Sequence, residues 1–449
     1  MGNDHPVTVV GAGLAGSECA WQLAERGVPV VLVEMRPVTA TPVHKTGRFA
    51  ELVCSNSLRS DDPQHAAGLL KREMERFGSL VIGAARSTAV PAGSALAVDR
   101  DRFSQAITDA LSSHPLIEIR RHEVRDLPEG DTVVATGPLT SDALAARLGS
   151  LLGSDYLYFY DAIAPIVDGE SLDHGKLFWA SRYDKGGGAD YLNAPLDREQ
   201  YAAFYGALIS AEVLPLHDFE QALFFEGCLP IEELARRGVD TLRFGPMKPV
   251  GLRGPDGRRP WAVLQLRRES LASHHFNLVG CQSRMKWGEQ QRVFSLIPGF
   301  ENADFVRFGQ IHRNTFINAP LALDAFYRVR QRPGLHLAGQ LTGVEGYLES
   351  AATGLAIGLY LALERQGIEA TALPATTALG ALARHLTESD PAHFQPANVN
   401  YGLFEPLAES TKKLDRRAAF AHRAGAALEA WAEAHGLPLV PAPAVEAVG

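Results

Sequence analysis

The sequence predicts an α/β protein in which a Rossmann-type parallel sheet is interrupted by a smaller inserted α/β domain. Three observations lead there. The stretch "VTVVGAGLAGSECAWQLAERGVPVVLVEMRP" sets a strand, a glycine turn, a helix and a second strand in register. Far down the chain, "GLHLAGQLTGVEGYLESAATGLAIGLYLALERQG" repeats the order strand, glycine-rich turn, helix. The residues between carry no second GxGxxG. At 449 residues, the chain has room for roughly two or three domains with real cores, and 46% hydrophobic with 21% charged residues excludes a disordered or fibrous protein.

In the N-terminal unit, Val7 to Val10 read as a buried parallel strand, Leu14 to Arg26 as a helix, and Val30 to Val33 as a strand ending at Glu34. The turn Gly11, Ala12, Gly13, Leu14, Ala15, Gly16 has the form that receives a dinucleotide. Gly11 permits the tight turn, Gly13 lets backbone approach a diphosphate, and Gly16 lets the helix lie close on the strand. The diphosphate would then face the N-H groups at the helix N-terminus. Glu34, 23 residues beyond Gly11, stands where a carboxylate accepts from ribose hydroxyls and repels a 2′-phosphate, which favours FAD or NAD over NADP.

The second glycine-rich element favours FAD. Leu335 to Ala338 read as a strand, Gly339 to Gly346 as a turn, and Tyr347 to Arg365 as a long helix with small residues for close packing. Its N-terminus would offer N-H groups to the electron-rich end of a flavin, making Gly339, Gln340, Gly343 and Tyr347 candidate cofactor contacts. "DTVVATGP", Asp131 to Pro138, reads as the short strand and turn before the chain leaves such a fold. Gln340 stands where many flavoproteins have Asp, so ribityl recognition is expected to differ. The expected architecture is therefore glutathione-reductase-like, with residues 1–163 and 320–449 forming a discontinuous FAD-binding domain around an inserted domain at 164–319.

The middle of the chain differs in charge. From Arg243 through Arg332 there are fifteen Lys or Arg against six Asp or Glu, a local net of +9 in a chain whose net charge is −9. A local positive field on an acidic protein suits a polyanionic substrate. Trp261, Phe276, Trp287 and Phe294 are interleaved rings able either to stack on bases or to fill a core.

Cys19, Cys54, Cys228 and Cys281 show neither CxxC nor metal-ligand spacing, so no metal site or disulfide framework is expected and the compartment reads as reducing. "MGNDHPVTVV" has no signal-peptide pattern, and apolar runs stop short of the ~20 residues a bilayer needs.

Several longer strings, "FAELVCSNSLRS", "FFEGCLPIEELARRG", "FGPMKPVGL", "MKWGEQQRVFSLIPGFENADFVRFGQIHRNTFIN", "GQLTGVEGYLESAATG" and "FQPANVNYGLFEPL", together with the Gly11 unit, resemble the TrmFO family of folate- and FAD-dependent tRNA (uracil-5-)-methyltransferases. The resemblance implies a cytoplasmic bacterial enzyme that makes ribothymidine in the tRNA T-loop, with methylenetetrahydrofolate as carbon source and NAD(P)H as reductant. It also implies a two-cysteine site at Cys54 and Cys228. Uracil C5 is a weak nucleophile until a group adds at C6, and a thiolate suits that addition. Cys228, before Pro230 and a helix read from Ile231 to Arg237, is the expected nucleophile; Cys54 is the expected base for the C5 proton. The reverse assignment stands beside it. Arg284, Lys286 and Arg313 are candidates for phosphate or folate carboxylates, and Trp287 and Tyr347 for stacking. Cys19 and Cys281 read as buried small hydrophobes. A flavin oxidoreductase or a related wobble-uridine modification flavoenzyme is the alternative. The latter is expected to carry a further C-terminal helical domain, whereas this sequence ends soon after Trp431.

Overall fold

The structure, a computed structural model, describes residues 5–41, 43–153, 157–162, 164–184, 189–214, 229–269, 274–408 and 416–441; at 157–162 and 311–315 only the backbone is described. Val7–Val10 and Val30–Glu34 are largely buried strands dominated by β-branched residues, and they pair in parallel with Val7 opposite Val30 and Val10 opposite Val33. From one edge, the sheet runs Arg328–Val329, Arg332–Leu337, Thr132–Val134, Val7–Val10, Val30–Glu34, Ile117–Arg121. Every neighbouring pair is parallel except the first. Leu335 pairs with Thr132, so both ends of the chain share one sheet.

Element limits follow local backbone chemistry. The first helix spans Leu14–Ala24, shorter than the reading to Arg26. Gly27, at φ +81°, turns the chain there: its N-H donates to the Ala24 carbonyl, and the Val28 N-H donates to that of Leu23. The late strand begins earlier than expected, at Arg332, because it also forms a hairpin with Arg328–Val329. The long helix spans Tyr347–Arg365 as read, and is buried from Leu348 to Leu363 except at Ser350. A helix apolar on all sides belongs inside a protein of this size. Among the described residues, no helix is long and apolar enough to cross a membrane.

That buried helix crosses the first one where both have small residues. A Cβ on Gly354 would fall 2.0 Å from the Ala15 carbonyl oxygen, and one on Gly358 would fall 2.6 Å from Gln22 Cβ. One hydrophobic core accordingly draws residues from Val7 to Leu148 and from Phe316 to Leu437.

A second core holds residues from Val167 to Ala303. Its sheet is antiparallel, in the order Phe178–Ala180, Tyr191–Leu196, Ala262–Arg268, His275–Leu278, Ile166–Asp168, Phe305–Arg307. The helices Arg198–Ser210, Ile231–Arg236 and Trp287–Phe294 contribute Phe204, Ile231 and Phe294 to this core. The chain runs from the first core to the second along Leu157–Ala162 and returns along Ile311–Phe316, the two strands paired antiparallel. A small third sheet of Ser57–Ser60, Ala95–Val98 and Ala89–Val90 follows directly after Cys54.

Replacing Gly354 by Val should destabilise the protein by about 1–3 kcal/mol or more, since backbone blocks the new side chain. A thermal melt of the variant within about 1 °C of the parent would refute this account of the helix crossing.

Candidate active site

The glycine turn opens onto a cavity. Its lining includes Gly11, Gly13, Leu14, Ala15, Glu34, Gly339, Gln340 and Tyr347. Each glycine has a separate reason. Gly11 sits at φ +97°, and a Cβ there would meet the Ala135 oxygen at 2.7 Å; at Gly16 a Cβ would lie 1.8 Å from the Gly11 oxygen. A Cβ on Gly13 would meet nothing within 4 Å, because that side faces the cavity. The first helical N-H groups have no intrahelical acceptors, and no acidic side chain occupies the first turn. This arrangement fits a dinucleotide diphosphate.

Glu34 is almost fully buried and already engaged. One of its oxygens accepts from the Ala12 N-H at 2.9 Å, and the other accepts from the Arg36 N-H and Nε, both at 3.0 Å. Burial raises its pKa, but the Arg36 charge and these hydrogen bonds together hold the carboxyl below its ordinary value. The carboxylate thus fixes the glycine turn while its oxygen on the Ala12 side keeps a further acceptor site. Arg36 reaches on to Glu51 at 3.1 Å, and Glu51 also accepts from the N-H groups of Lys45 and Thr46. His44, on the same wall, contacts Thr41 through Nδ1 at 2.6 Å.

The second glycine element forms the opposite wall. Gly339, at φ +74°, donates its N-H to Thr353 Oγ1 at 2.7 Å; Gln340 donates its amide to Glu345 at 2.8 Å. Gly343 is also left-handed, but a Cβ there would meet Phe394 at 2.5 Å, so this glycine serves the turn and its packing against the later segment. Tyr347 accepts from the Cys54 N-H at 2.7 Å through its hydroxyl oxygen. Val53 lines the cavity, and Cys54 is therefore tied to the cavity wall by the first residue of the long helix.

Arginines surround that loop. The Cys54 carbonyl accepts from Arg100 at 2.6 Å and Arg307 at 3.2 Å, while Arg307 also reaches the Val53 carbonyl at 3.0 Å. Arg267, 6% exposed, donates to Ser55 Oγ and Asn56 Oδ1, each at 2.7 Å. Of these three guanidinium groups, Arg100 is ion-paired with Glu269. Charge at the Cys54 side chain would interact favourably with all three. Ser55 and Asn56 lie between Leu52 and Leu58 of the first core, and Arg267 and Arg307 belong to the antiparallel sheet, so the loop also joins the two cores.

Proteins with known names settle the kinship. The family model described as "Glucose inhibited division protein A" matches residues 6–369. The methylenetetrahydrofolate--tRNA-(uracil-5-)-methyltransferase TrmFO of Heliobacterium modesticaldum is 56% identical over 426 residues, covering 94% of this chain and 97% of its own. That of Geobacter sulfurreducens is 56% identical over 427 residues, covering 95% and 98%. The chain belongs to the TrmFO family. Its fold is also that of Aquifex aeolicus GidA, with a TM-score of 0.67 at 16% identity, covering 96% of this chain and 74% of that one.

Within this TrmFO-family chain, the other sequence candidates separate. Cys228 lies outside the described residues. The chain re-enters at Leu229, with Pro230 as N-cap of the helix Ile231–Arg236. Arg284 is held against that helix: its guanidinium pairs with Glu233 and donates to the Leu214 carbonyl at 2.9 Å, and its N-H donates to buried Glu232 at 2.8 Å. Those contacts tie Arg284 to Leu214 and to the helix Ile231–Arg236. Lys286 is exposed and pairs with Glu212 at 2.6 Å. Trp287 is 58% exposed and stacks on Phe308 at 5.6 Å between centroids; Phe308 in turn stacks on Phe305 at 5.0 Å. Arg313 is in the strand Ile311–Phe316, opposite Tyr160, and its side chain is outside the described residues. Cys19 and Cys281 are fully buried, and burial pushes both thiols well above their ordinary pKa.

Sequence reading missed Arg36, His44, Arg100, Arg267 and Arg307. Arg36 and Arg307 stood inside quoted strings without being singled out, whereas Arg100 and Arg267 had no local signal, because their partners in the Cys54 loop lie from 46 to some two hundred residues away. Burial, and next the Arg36 charge, lower the His44 pKa to about 4 against the opposing effect of Glu51 and Glu34. An unfolded histidine titrates at ~6.5. Between those values the unfolded chain binds more protons, so stability is lost as pH falls from about 6.5 to about 4, by at most ~1.4 kcal/mol per pH unit from this group. Replacing His44 by Gln should flatten that part of a urea-midpoint profile; an unchanged slope would assign the acid sensitivity to other groups.

Proposed function

We propose that this chain is a tRNA (uracil-5-)-methyltransferase that uses methylenetetrahydrofolate and FAD to convert the T-loop uridine to ribothymidine, with NAD(P)H as reductant. The observation that carries the reading is the Tyr347–Cys54 hydrogen bond, which holds a thiol-bearing loop at the wall of a dinucleotide cavity. In the same reading, residues 1–163 and 320–449 form the cofactor-binding body, 164–319 the inserted domain, and the cytoplasm supplies both tRNA and folate.

The Gly11–Gly16 turn holds the FAD diphosphate, Glu34 a ribose hydroxyl, and the segment from Gly339 to Tyr347 the flavin end. FAD, when bound and reduced, supplies the two electrons that turn a transferred methylene into a methyl group. The chain's own residues do the rest. The target uridine is turned out of the folded T-loop to reach the cavity. The Cys228 thiolate adds at C6, forming a C–S bond and placing the electron pair on C5, which bonds to the folate methylene carbon as one of that carbon's bonds to nitrogen breaks. Cys54 removes the C5 proton as the remaining carbon–nitrogen bond breaks, leaving an exocyclic methylene on C5, and delivery of the two electrons with a proton to that carbon expels the Cys228 thiolate from C6. Arg100, Arg267 and Arg307 supply positive charge beside Cys54, which favours the thiolate form that a base requires.

The purified protein should be yellow, and Gly13→Leu should abolish flavin binding without unfolding the chain, because the added side chain enters the cavity. A colourless parent that cannot be reconstituted with FAD would defeat the cofactor assignment.

Labelled carbon should pass from methylenetetrahydrofolate to tRNA in the parent protein. With tRNA carrying 5-fluorouridine at the target, Cys228→Ala should form no covalent adduct, whereas Cys54→Ala should stop turnover yet leave the adduct possible. The opposite pattern reverses the two roles; normal methylation by both variants would sink the two-thiol chemistry.

A further inference from the structure

A second, open groove lies on the antiparallel-sheet body, with Arg198, Phe244, Lys248, Arg258, Arg259 and Trp261 in its walls. Two guanidinium groups pack on the Trp261 ring, Arg243 at 3.5 Å and Arg198 at 5.4 Å from its centroid. Phe244 is 81% exposed. Arg243 is matched by Asp240, and Lys176 by Glu301 and Asp173. Among the described residues, Arg198, Lys248, Arg258 and Arg259 have no such carboxylate partner. The groove's two acids each accept from a backbone N-H, Asp197 from that of Gln200 at 2.8 Å and Asp256 from that of Arg258 at 2.9 Å. Four unmatched cations thus converge on one groove of a chain with net charge −9.

One strand fixes where this groove lies relative to the thiol loop. Trp261 precedes the strand Ala262–Arg268, and Arg267 near its other end grips Ser55 and Asn56. At ~3.3 Å per residue, the two sites are roughly 20 Å apart along the strand. A folded RNA spans that distance.

We propose that this groove grips the sugar-phosphate backbone of the tRNA away from the reacting uridine, with Arg258, Arg259, Lys248 and Arg198 on phosphates and the exposed Phe244 ring against sugar or base. The proposal rests on the tRNA-methyltransferase reading. Such contacts position a substrate and add affinity without carrying sequence information. Arg258 and Arg259 project from an exposed turn, so they can be changed without entering either core.

The test compares the flavin-loaded parent with Arg258→Glu/Arg259→Glu and with Arg258→Lys/Arg259→Lys, measuring binding and methylation of a tRNA transcript over a range of salt. The charge-reversed protein should bind tRNA at least ~10-fold more weakly, with a salt slope shallower by about one unit per lost phosphate contact, while flavin absorbance and kcat at saturating tRNA are retained. The lysine variant should stay within about threefold of the parent, since a point charge suffices for phosphate. If the parent methylates tRNA and charge reversal leaves affinity and salt slope unchanged, the groove serves another partner and the proposal fails. If the parent binds tRNA through these arginines without methylating it, the groove stands and the methyltransferase reading falls.

Discussion

Both walls of the cofactor cavity hang on one close contact between two helices that are more than three hundred residues apart in sequence. Gly354 lies against the Ala15 carbonyl with no room for a Cβ, and Gly358 lies against Gln22 and Cys19. That approach sets the C-terminal helix beside the glycine turn, so Gly339, Gln340 and Tyr347 face the same cavity as Gly11, Gly13 and Leu14. A single methyl group at the crossing would part the two walls of the site. The small residues in "ESAATGLAIG" are therefore as much a part of the site as the residues that line it.

From that crossing, rigidity passes outward through polar contacts. Glu34 fixes the Ala12 N-H on one side and Arg36 on the other, and Arg36 extends the network through Glu51 to the N-H groups of Lys45 and Thr46. Tyr347 does the corresponding work on the second wall by receiving the Cys54 N-H. A buried carboxylate satisfied by several donors is costly to disturb, since losing one partner leaves a desolvated charge. This explains why Glu34 can stay ionised in a site only 5% exposed.

The two cores meet at the loop from Val53 to Asn56, where arginines from three separate elements supply the contacts. Arg100 begins the helix Arg100–Ser113, Arg267 lies in a central strand of the antiparallel sheet, and Arg307 in its edge strand. The basic charge in the middle of the chain thus serves several ends. Arg267 and Arg307 hold the loop, Arg284 is matched by Glu233, and Lys248, Arg258 and Arg259 of the groove remain exposed and without a carboxylate partner among the described residues. Composition reports the surplus, and only burial and pairing separate its parts.

Features that depend on neighbours along the chain were legible before any fold was known. Val7–Val10, the turn at Gly11 to Gly16, Glu34 and the long helix from Tyr347 to Arg365 could be read because periodicity, β-branching and glycine spacing are local properties. The longer strings around Cys54 and Tyr347 also marked the family. Which arginine does what emerged only on folding, since Arg284 and Arg267 look alike in sequence yet one pairs with Glu233 and the other holds Ser55 and Asn56. The same holds for Gly343, which packs on Phe394, and for Tyr347, which meets Cys54 across 293 residues. Charge and hydrogen bonding act through space over a few ångströms, and sequence separation carries no record of which distant groups folding brings that close.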